Sequence, residues 1–267
     1  MHLGILQTSV ASDSLEKAFQ IARAAGAQGL EVACQSESDV EALFSDAGVK
    51  TINRLRQMHA LEVPSLALNL LCANASLFGS GSEVARACKL ITQAMHAAGI
   101  VGAQVVLVPF FGKATIETDL ELDRVIGNLL DLAEQADAAE VTLGVESTLN
   151  ADQQLYLLSH MAPYTSVKMY FDTGNMLARK LDPAKCLRDL GKGNICQMHF
   201  KDCRLSREGE PPDFKVALGQ GNVDFKAVAN AMAAVGFDGW VVLETPAGED
   251  ALASAKANLD FARGVLH

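Results

Sequence analysis

An α/β fold, a single (β/α)8 barrel, is the fold class that the sequence predicts, and three observations predict it. The chain has 267 residues, close to the roughly 250 of one such barrel. Short apolar runs alternate with longer amphipathic segments at near-constant pitch to give eight strand-helix units, a pattern that calls for parallel strands joined by helical crossovers. No linker or low-complexity tract breaks this rhythm, so one domain is expected over 1–267. The rival, an open doubly wound sheet, loses its dinucleotide-binding form because no GxGxxG follows the first strand.

Each element has a local reason. The strands are runs rich in Val, Ile and Leu bounded by Gly, Pro or polar residues. They are expected at Leu3–Gln7, Gly29–Ala33, Ser65–Leu70, Gln104–Pro109, Thr142–Glu146, Val167–Asp172, Ile195–Phe200 and Gly239–Glu244. The clearest helical periodicities cover Leu15–Ala25, Glu83–Ala98, Asp119–Ala138, Asp182–Leu190, Phe225–Val235 and Ala251–Arg263. Ser82 and Asp224 stand where an N-cap oxygen can accept from first-turn amides. Gly26, Gly99, Gly191, Gly236 and Gly264 stand where helices should stop. One connection, Lys201–Asn222, is longer than a usual βα loop and contains Pro211 and Pro212. In a barrel it overhangs the C-terminal face, where active sites sit.

Composition narrows the function classes. Hydrophobic residues make up 49% and charged residues 20% of the chain, enough apolar material for a large core and too much for disorder. The 22 basic and 32 acidic side chains leave a net charge of −10, which disfavours nucleic acid as a partner. The best apolar stretch, Ile100 to Phe111, is interrupted by Gln104 and is too short for a bilayer. The first residues carry no basic region and read as a strand rather than a signal peptide. The six cysteines form no CxxC pair, so reduced thiols and a cytoplasmic location are expected.

The chemistry lies at the ends of the last four strands. The fifth ends Gly144-Val145-Glu146, the sixth Tyr170-Phe171-Asp172, the seventh near Met198-His199, and the eighth Leu243-Glu244. The first two intervals equal one βα repeat, and the third equals one repeat plus the long connection. Alternation along a strand turns these four residues inward while Val145, Phe171, Met198 and Leu243 face the helices. Crowded carboxylates raise one another's pKa, and a divalent cation relieves that repulsion. Three carboxylates and one imidazole suit Mn²⁺, Mg²⁺ or Co²⁺, with Zn²⁺ left open. Glu146 and Glu244 lie on strands three steps apart in a ring of eight. A planar enediolate held between them would meet a carboxylate on each face, an arrangement suited to moving a proton beside a carbonyl.

These residues also carry a resemblance. Gly-Val-Glu146, Phe-Asp172-Thr-Gly-Asn175, Met-His199-Phe-Lys201-Asp202, Gly219-Gln-Gly221-Asn-Val-Asp224-Phe225 and Leu-Glu244 resemble the xylose-isomerase-like TIM barrels of the sugar phosphate isomerase/epimerase group. The resemblance implies a TIM barrel and one divalent metal ion held by Glu146, Asp172, His199 and Glu244, with the two glutamates as acid/base pair. Asp-x-Gly-Asn followed by His-x-Lys-Asp is similar to L-ribulose/L-xylulose 5-phosphate 3-epimerases, whereas ketose 3-epimerases of the tagatose/psicose type carry His where Asn175 stands.

The expected function is therefore a metal-dependent isomerase or epimerase acting on a ketose or sugar phosphate. Rivals are an inosose-type dehydratase, an endonuclease-IV-like DNA repair enzyme and a non-catalytic sugar-binding barrel. Lys201, Asn175 and Arg204 are substrate-binding candidates. The expected partner is a small sugar or sugar phosphate, with no nucleic acid and no membrane; homo-oligomerisation is left open. Lys201 has an alternative role as an ion-pair partner of Asp202, and Asp202 as a group orienting His199 or Lys201. Glu31 is either an inward polar group near substrate or a buried partner of Arg or Lys. His2, His59, His96, His160 and His267 are not expected to bind metal.

Overall fold

The computed structural model describes residues 1–11, 14–74, 77–207 and 210–266. The elements are β1 (His2–Leu6), α1 (Leu15–Ala25), β2 (Gly29–Ala33), α2 (Glu37–Leu43), α3 (Asp46–His59), β3 (Ser65–Ala67), α4 (Leu71–Asn74), α5 (Gly81–Val101), β4 (Val105–Phe110), α6 (Asp119–Ala138), β5 (Thr142–Ser147), α7 (Ala151–His160), β6 (Val167–Asp172), α8 (Thr173–Ala178), α9 (Pro183–Leu190), β7 (Ile195–Phe200), α10 (Phe225–Val235), β8 (Trp240–Leu243) and α11 (Ala251–Leu266). The strands are hydrogen-bonded in sequence order and close into a barrel, with β1 paired in parallel to both β2 and β8. This is the predicted (β/α)8 architecture. None of the described helices is long and apolar enough to cross a membrane.

The chain packs as two compact units. The first comprises Met1–Glu31, His59–Glu62 and Phe171–His267. In it, α1 lies against α11, and the Arg263 guanidinium donates to the Gly26 carbonyl at 2.6 Å. The Phe225 ring joins Phe200 to Phe261, with centroids 5.1 and 5.4 Å away. The His2 ring lies 5.0 Å from that of Trp240, tilted by 36°, where β1 and β8 begin, the end of a barrel that carries stability rather than catalysis. The second unit comprises Val32–Met58 and Val63–Tyr170. Its β4 is buried along all six residues, as a parallel strand covered on both faces should be. In the same unit α5 lies against α6, where Thr92 donates to Gln135 at 3.1 Å.

The elements α1, β2, α6, β6, β7 and α10 occupy the residues expected of them. Asp224 caps α10 by accepting from the Ala227 amide. Several boundaries differ. The cap of α5 is Ser80 rather than Ser82, because Ser80 and Glu83 close a reciprocal capping box. That helix ends at Gly102 rather than Gly99, and α11 runs through Gly264 to Leu266. The third strand stops at Ala67, three residues early.

Helices α2, α3 and α7 are absent from the expected pattern because their buried stripes are thin. α2 buries Val40 alone, α3 buries Val49, Ile52 and Leu55, and α7 buries Ala151, Gln154 and Leu157. One buried residue per turn, with a glutamine in the stripe of α7, gives little periodic signal. The capping boxes Ser36/Asp39 and Asn150/Gln153 are the local signals that mark α2 and α7.

All six cysteines are free thiols. Burial, reinforced by Asp39, raises the Cys34 pKa far above that of an ordinary thiol. Burial and the charges of Asp202 and Asp172 push Cys203 up to about 11. Because the thiolate is the reactive form, alkylation of the folded protein at pH 8 should modify the half-buried Cys72 and Cys196 first. Cys34 should remain unlabelled until denaturant is added. Peptide mass mapping checks this, and early labelling of Cys34 would contradict its burial.

Candidate active site

The parallel direction of the strands brings the chemistry-bearing residues to one end of the sheet. Asp172 is the last residue of β6 and the N-cap of α8, and its Oδ1 accepts the Asn175 amide at 2.6 Å. His199 is the fifth residue of β7. Glu244 follows β8 directly, and its amide donates to the Phe200 carbonyl at 3.1 Å. Nδ1 of His199 lies 3.1 Å from Glu244 Oε2 and 3.8 Å from Asp172 Oδ2. Asp172 and His199 are 1% and 2% exposed, whereas the Glu244 side chain keeps 27% of its surface open.

Glu146, the fifth residue of β5, is 4% exposed and stands opposite Pro109 in the ladder with β4. One donor atom from each of Glu146, Asp172, His199 and Glu244 lies within 4.8 Å of the others. The four outward neighbours Val145, Phe171, Met198 and Leu243 are buried, as strand alternation requires.

Two cationic or proton-bearing groups stabilise the Glu244 carboxylate. Burial by itself would raise its pKa, but the Lys201 charge and the hydrogen bond and charge of His199 outweigh that effect and hold the carboxyl well below its usual range. Lys201 Nζ donates to Glu244 Oε1 at 2.7 Å and lies 5.0 Å from the Phe214 ring centroid. The Thr173 hydroxyl donates to the Lys201 carbonyl at 2.7 Å and accepts the Lys201 amide at 3.1 Å, which ties the start of α8 to the end of β7. The ion pair of Lys201 is thus with Glu244, not with Asp202.

Asp202 does different work from the orienting role expected for it. Its Oδ1 accepts the amides of Cys203 and Val223 at 2.9 and 3.1 Å. Its Oδ2 accepts those of Gly219 and Gly221 at 2.9 and 2.8 Å. The buried carboxylate therefore folds the long connection back onto its own start. Gly219 is left-handed at φ 77°, and a Cβ there or at Gly221 would collide with Phe261 or with Asp202. Both glycines serve backbone geometry. Arg204 is exposed, and its guanidinium donates to the Gln220 carbonyl at 3.0 Å across the same loop. Asn175 is buried on the first turn of α8.

Sequence reasoning left one partner of the site unresolved. Glu31, in the middle of β2 and 0% exposed, places Oε1 2.8 Å from His199 Nε2. It contacts this histidine, a partner that neither expectation named. Only the alternation of β2, which turns position 31 inward, hinted at it.

The residues fit a divalent cation. Three carboxylates and an imidazole nitrogen converge, a hard and mostly oxygen donor set. Among the other histidines, His2 and His160 make ring contacts with Trp240 and Tyr156, and His267 lies outside the described residues.

Comparison with known proteins agrees with this architecture. The chain is 27% identical over 147 residues to an inosose dehydratase of Lacticaseibacillus casei, a match covering 48% of each protein. The chain spans about half the length of the curated relatives it matches. Among solved structures, an L-ribulose 3-epimerase superposes with a TM-score of 0.81 at 21% identity, over 99% of this chain and 94% of that one. The IolI protein with a bound zinc atom superposes with a TM-score of 0.76 at 16% identity, over 99% and 96%. At these identities the structural likeness speaks for the fold. The family described as "Xylose isomerase-like TIM barrel" matches residues 19–265, and with nearly the whole chain inside that match the protein belongs to the xylose isomerase-like TIM barrel family.

Proposed function

We propose that this protein is a divalent-metal-dependent isomerase or epimerase of ketoses or sugar phosphates, with Glu146 and Glu244 as the acid/base pair. The observation that carries the reading is the convergence of one donor atom each from Glu146, Asp172, His199 and Glu244 within 4.8 Å. The similarity to an L-ribulose 3-epimerase supports it.

A cation such as Mn²⁺, Mg²⁺, Co²⁺ or Zn²⁺, when bound, supplies positive charge where an oxyanion develops beside the carbon that loses its proton. The protein's own groups do the rest. Glu244, paired with the Lys201 ammonium at 2.7 Å, is the carboxylate that accepts the proton. Glu146 then returns a proton to the opposite face, or the two roles reverse. Lys201 carries a charge that can meet a substrate hydroxyl or phosphate, and the Asn175 amide both donates and accepts. Arg204 extends the same role toward the rim of the loop.

A second reading is favoured by the similarity to inosose dehydratases. A dehydratase uses the same first proton abstraction and then expels hydroxide. Incubation in D₂O with a panel of ketoses, ketose phosphates and inososes, with Mn²⁺, Mg²⁺ or Co²⁺ and NMR readout, separates the readings. Deuterium entering at C3 without change of composition marks an epimerase, and at C1 an aldose–ketose isomerase. A product lighter by one water marks the dehydratase. Absence of exchange on every substrate would overturn the proposal.

A further inference from the structure

We propose that Glu31 is a positioning residue of the metal centre, holding His199 in the tautomer and ring orientation that present Nδ1 to a divalent cation. The inference rests on the reading of His199 as a metal ligand and goes beyond the four ligands to the group that aims one of them.

The geometry is specific. Glu31 and His199 are 168 positions apart in sequence and meet in the interior of the first compact unit at 2.8 Å. Both side chains are closed to solvent, at 0% and 3% exposure. With the Glu31 oxygen as acceptor, Nε2 is the donor of this contact. That leaves Nδ1 as the nitrogen able to give its lone pair to a cation, and it is Nδ1 that faces Glu244 Oε2 at 3.1 Å and Asp172 Oδ2 at 3.8 Å. The imidazole is thus held with Nδ1 among the carboxylates that would share a cation and with Nε2 turned to Glu31. A carboxylate behind a ligating histidine also raises the basicity of the ligating nitrogen.

Placement on β2 makes Glu31 a rigid reference point. Its neighbours on the strand, Leu30 and Val32, are fully buried, and Glu31 itself is in register with Leu6 of β1. A shift of the ring would break a contact on a paired strand rather than one on a loop.

The test uses cation-stripped full-length protein, Mn²⁺ titration by calorimetry, and the variants Glu31→Gln and Glu31→Asp. Glu31→Gln should weaken Mn²⁺ binding by about 10–100-fold, the usual range for such outer partners. The shorter carboxylate of Glu31→Asp should recover part of that loss. A second measurement needs no variant. In Zn²⁺-loaded wild-type protein, ¹⁵N NMR of the histidine side chains should show His199 with a proton on Nε2 and a metal-shifted Nδ1. If Glu31→Gln does not fold, as judged by circular dichroism, this spectrum decides the matter. Unchanged Mn²⁺ affinity in folded Glu31→Gln would overturn the proposal, as would a proton on Nδ1 of wild-type His199. If wild-type protein bound no Mn²⁺, the metal-site reading and this inference would fall together. Mn²⁺ binding without turnover of any sugar would sink only the proposed activity, leaving the titration and spectrum to support Glu31.

Discussion

Glu244→Gln should abolish exchange of substrate hydrogen with solvent deuterium, lowering kcat by about 10³–10⁴-fold, the upper part of the range for a positioned general base. The amide cannot take up a proton, yet it keeps the shape of the side chain and one oxygen donor. It also removes the negative charge 2.7 Å from the Lys201 ammonium and 3.1 Å from His199 Nδ1. Glu146→Gln should behave in the same way if two carboxylates serve opposite faces of the substrate. The measurement is NMR-detected deuterium incorporation with Mn²⁺ at saturation, with circular dichroism to confirm folding. Full activity in Glu244→Gln would remove the two-base proposal.

Asp202→Ala should lower the stability of the folded protein by about 3–5 kcal/mol, a value at the top of the range for single substitutions. Four backbone amides, those of Cys203, Gly219, Gly221 and Val223, converge on its two oxygens. Each such bond to a charged group contributes about 1.5–3 kcal/mol, and bonds to one carboxylate are not additive. Asp202→Asn should be nearly as damaging. Whichever way the amide is turned, its NH₂ faces two N–H donors and only one oxygen remains to accept. The loss should appear in the melting temperature and in earlier proteolysis between residues 203 and 222. A melting temperature within a degree of wild type would show that the loop closes without this carboxylate. Because Lys201 and Phe214 flank or belong to the same connection, activity should fall with stability.

Local pattern carried much of the fold. Helices α1, α6 and α10 were legible because each presents a broad apolar stripe and ends on a cap or stop that depends only on neighbouring residues. The start of α5 was misread by two residues because Ser80 and Ser82 both stand near Glu83, and only Ser80 is placed for a reciprocal bond with it. The helices α3 and α7 escaped because a single buried residue per turn satisfies the packing of a short crossover.

The strand ends explain why the candidate ligands were legible at all. In a parallel barrel every strand finishes at the same end, so Glu146, Asp172, His199 and Glu244 needed only strand position and alternation to be placed together. That much the sequence determined by itself, through the period of the backbone and the single direction of its strands. Which partner each side chain takes was decided by the tertiary structure. Lys201 reaches Glu244 across the β7–β8 pair rather than adjacent Asp202. Asp202 turns away to gather four amides of its own loop, and Glu31 meets His199 from the far side of the sequence. Hydrogen bonds and ion pairs form between atoms a few ångströms apart regardless of their separation along the chain. They are therefore settled by strand register and buried geometry, which no local stretch of residues contains.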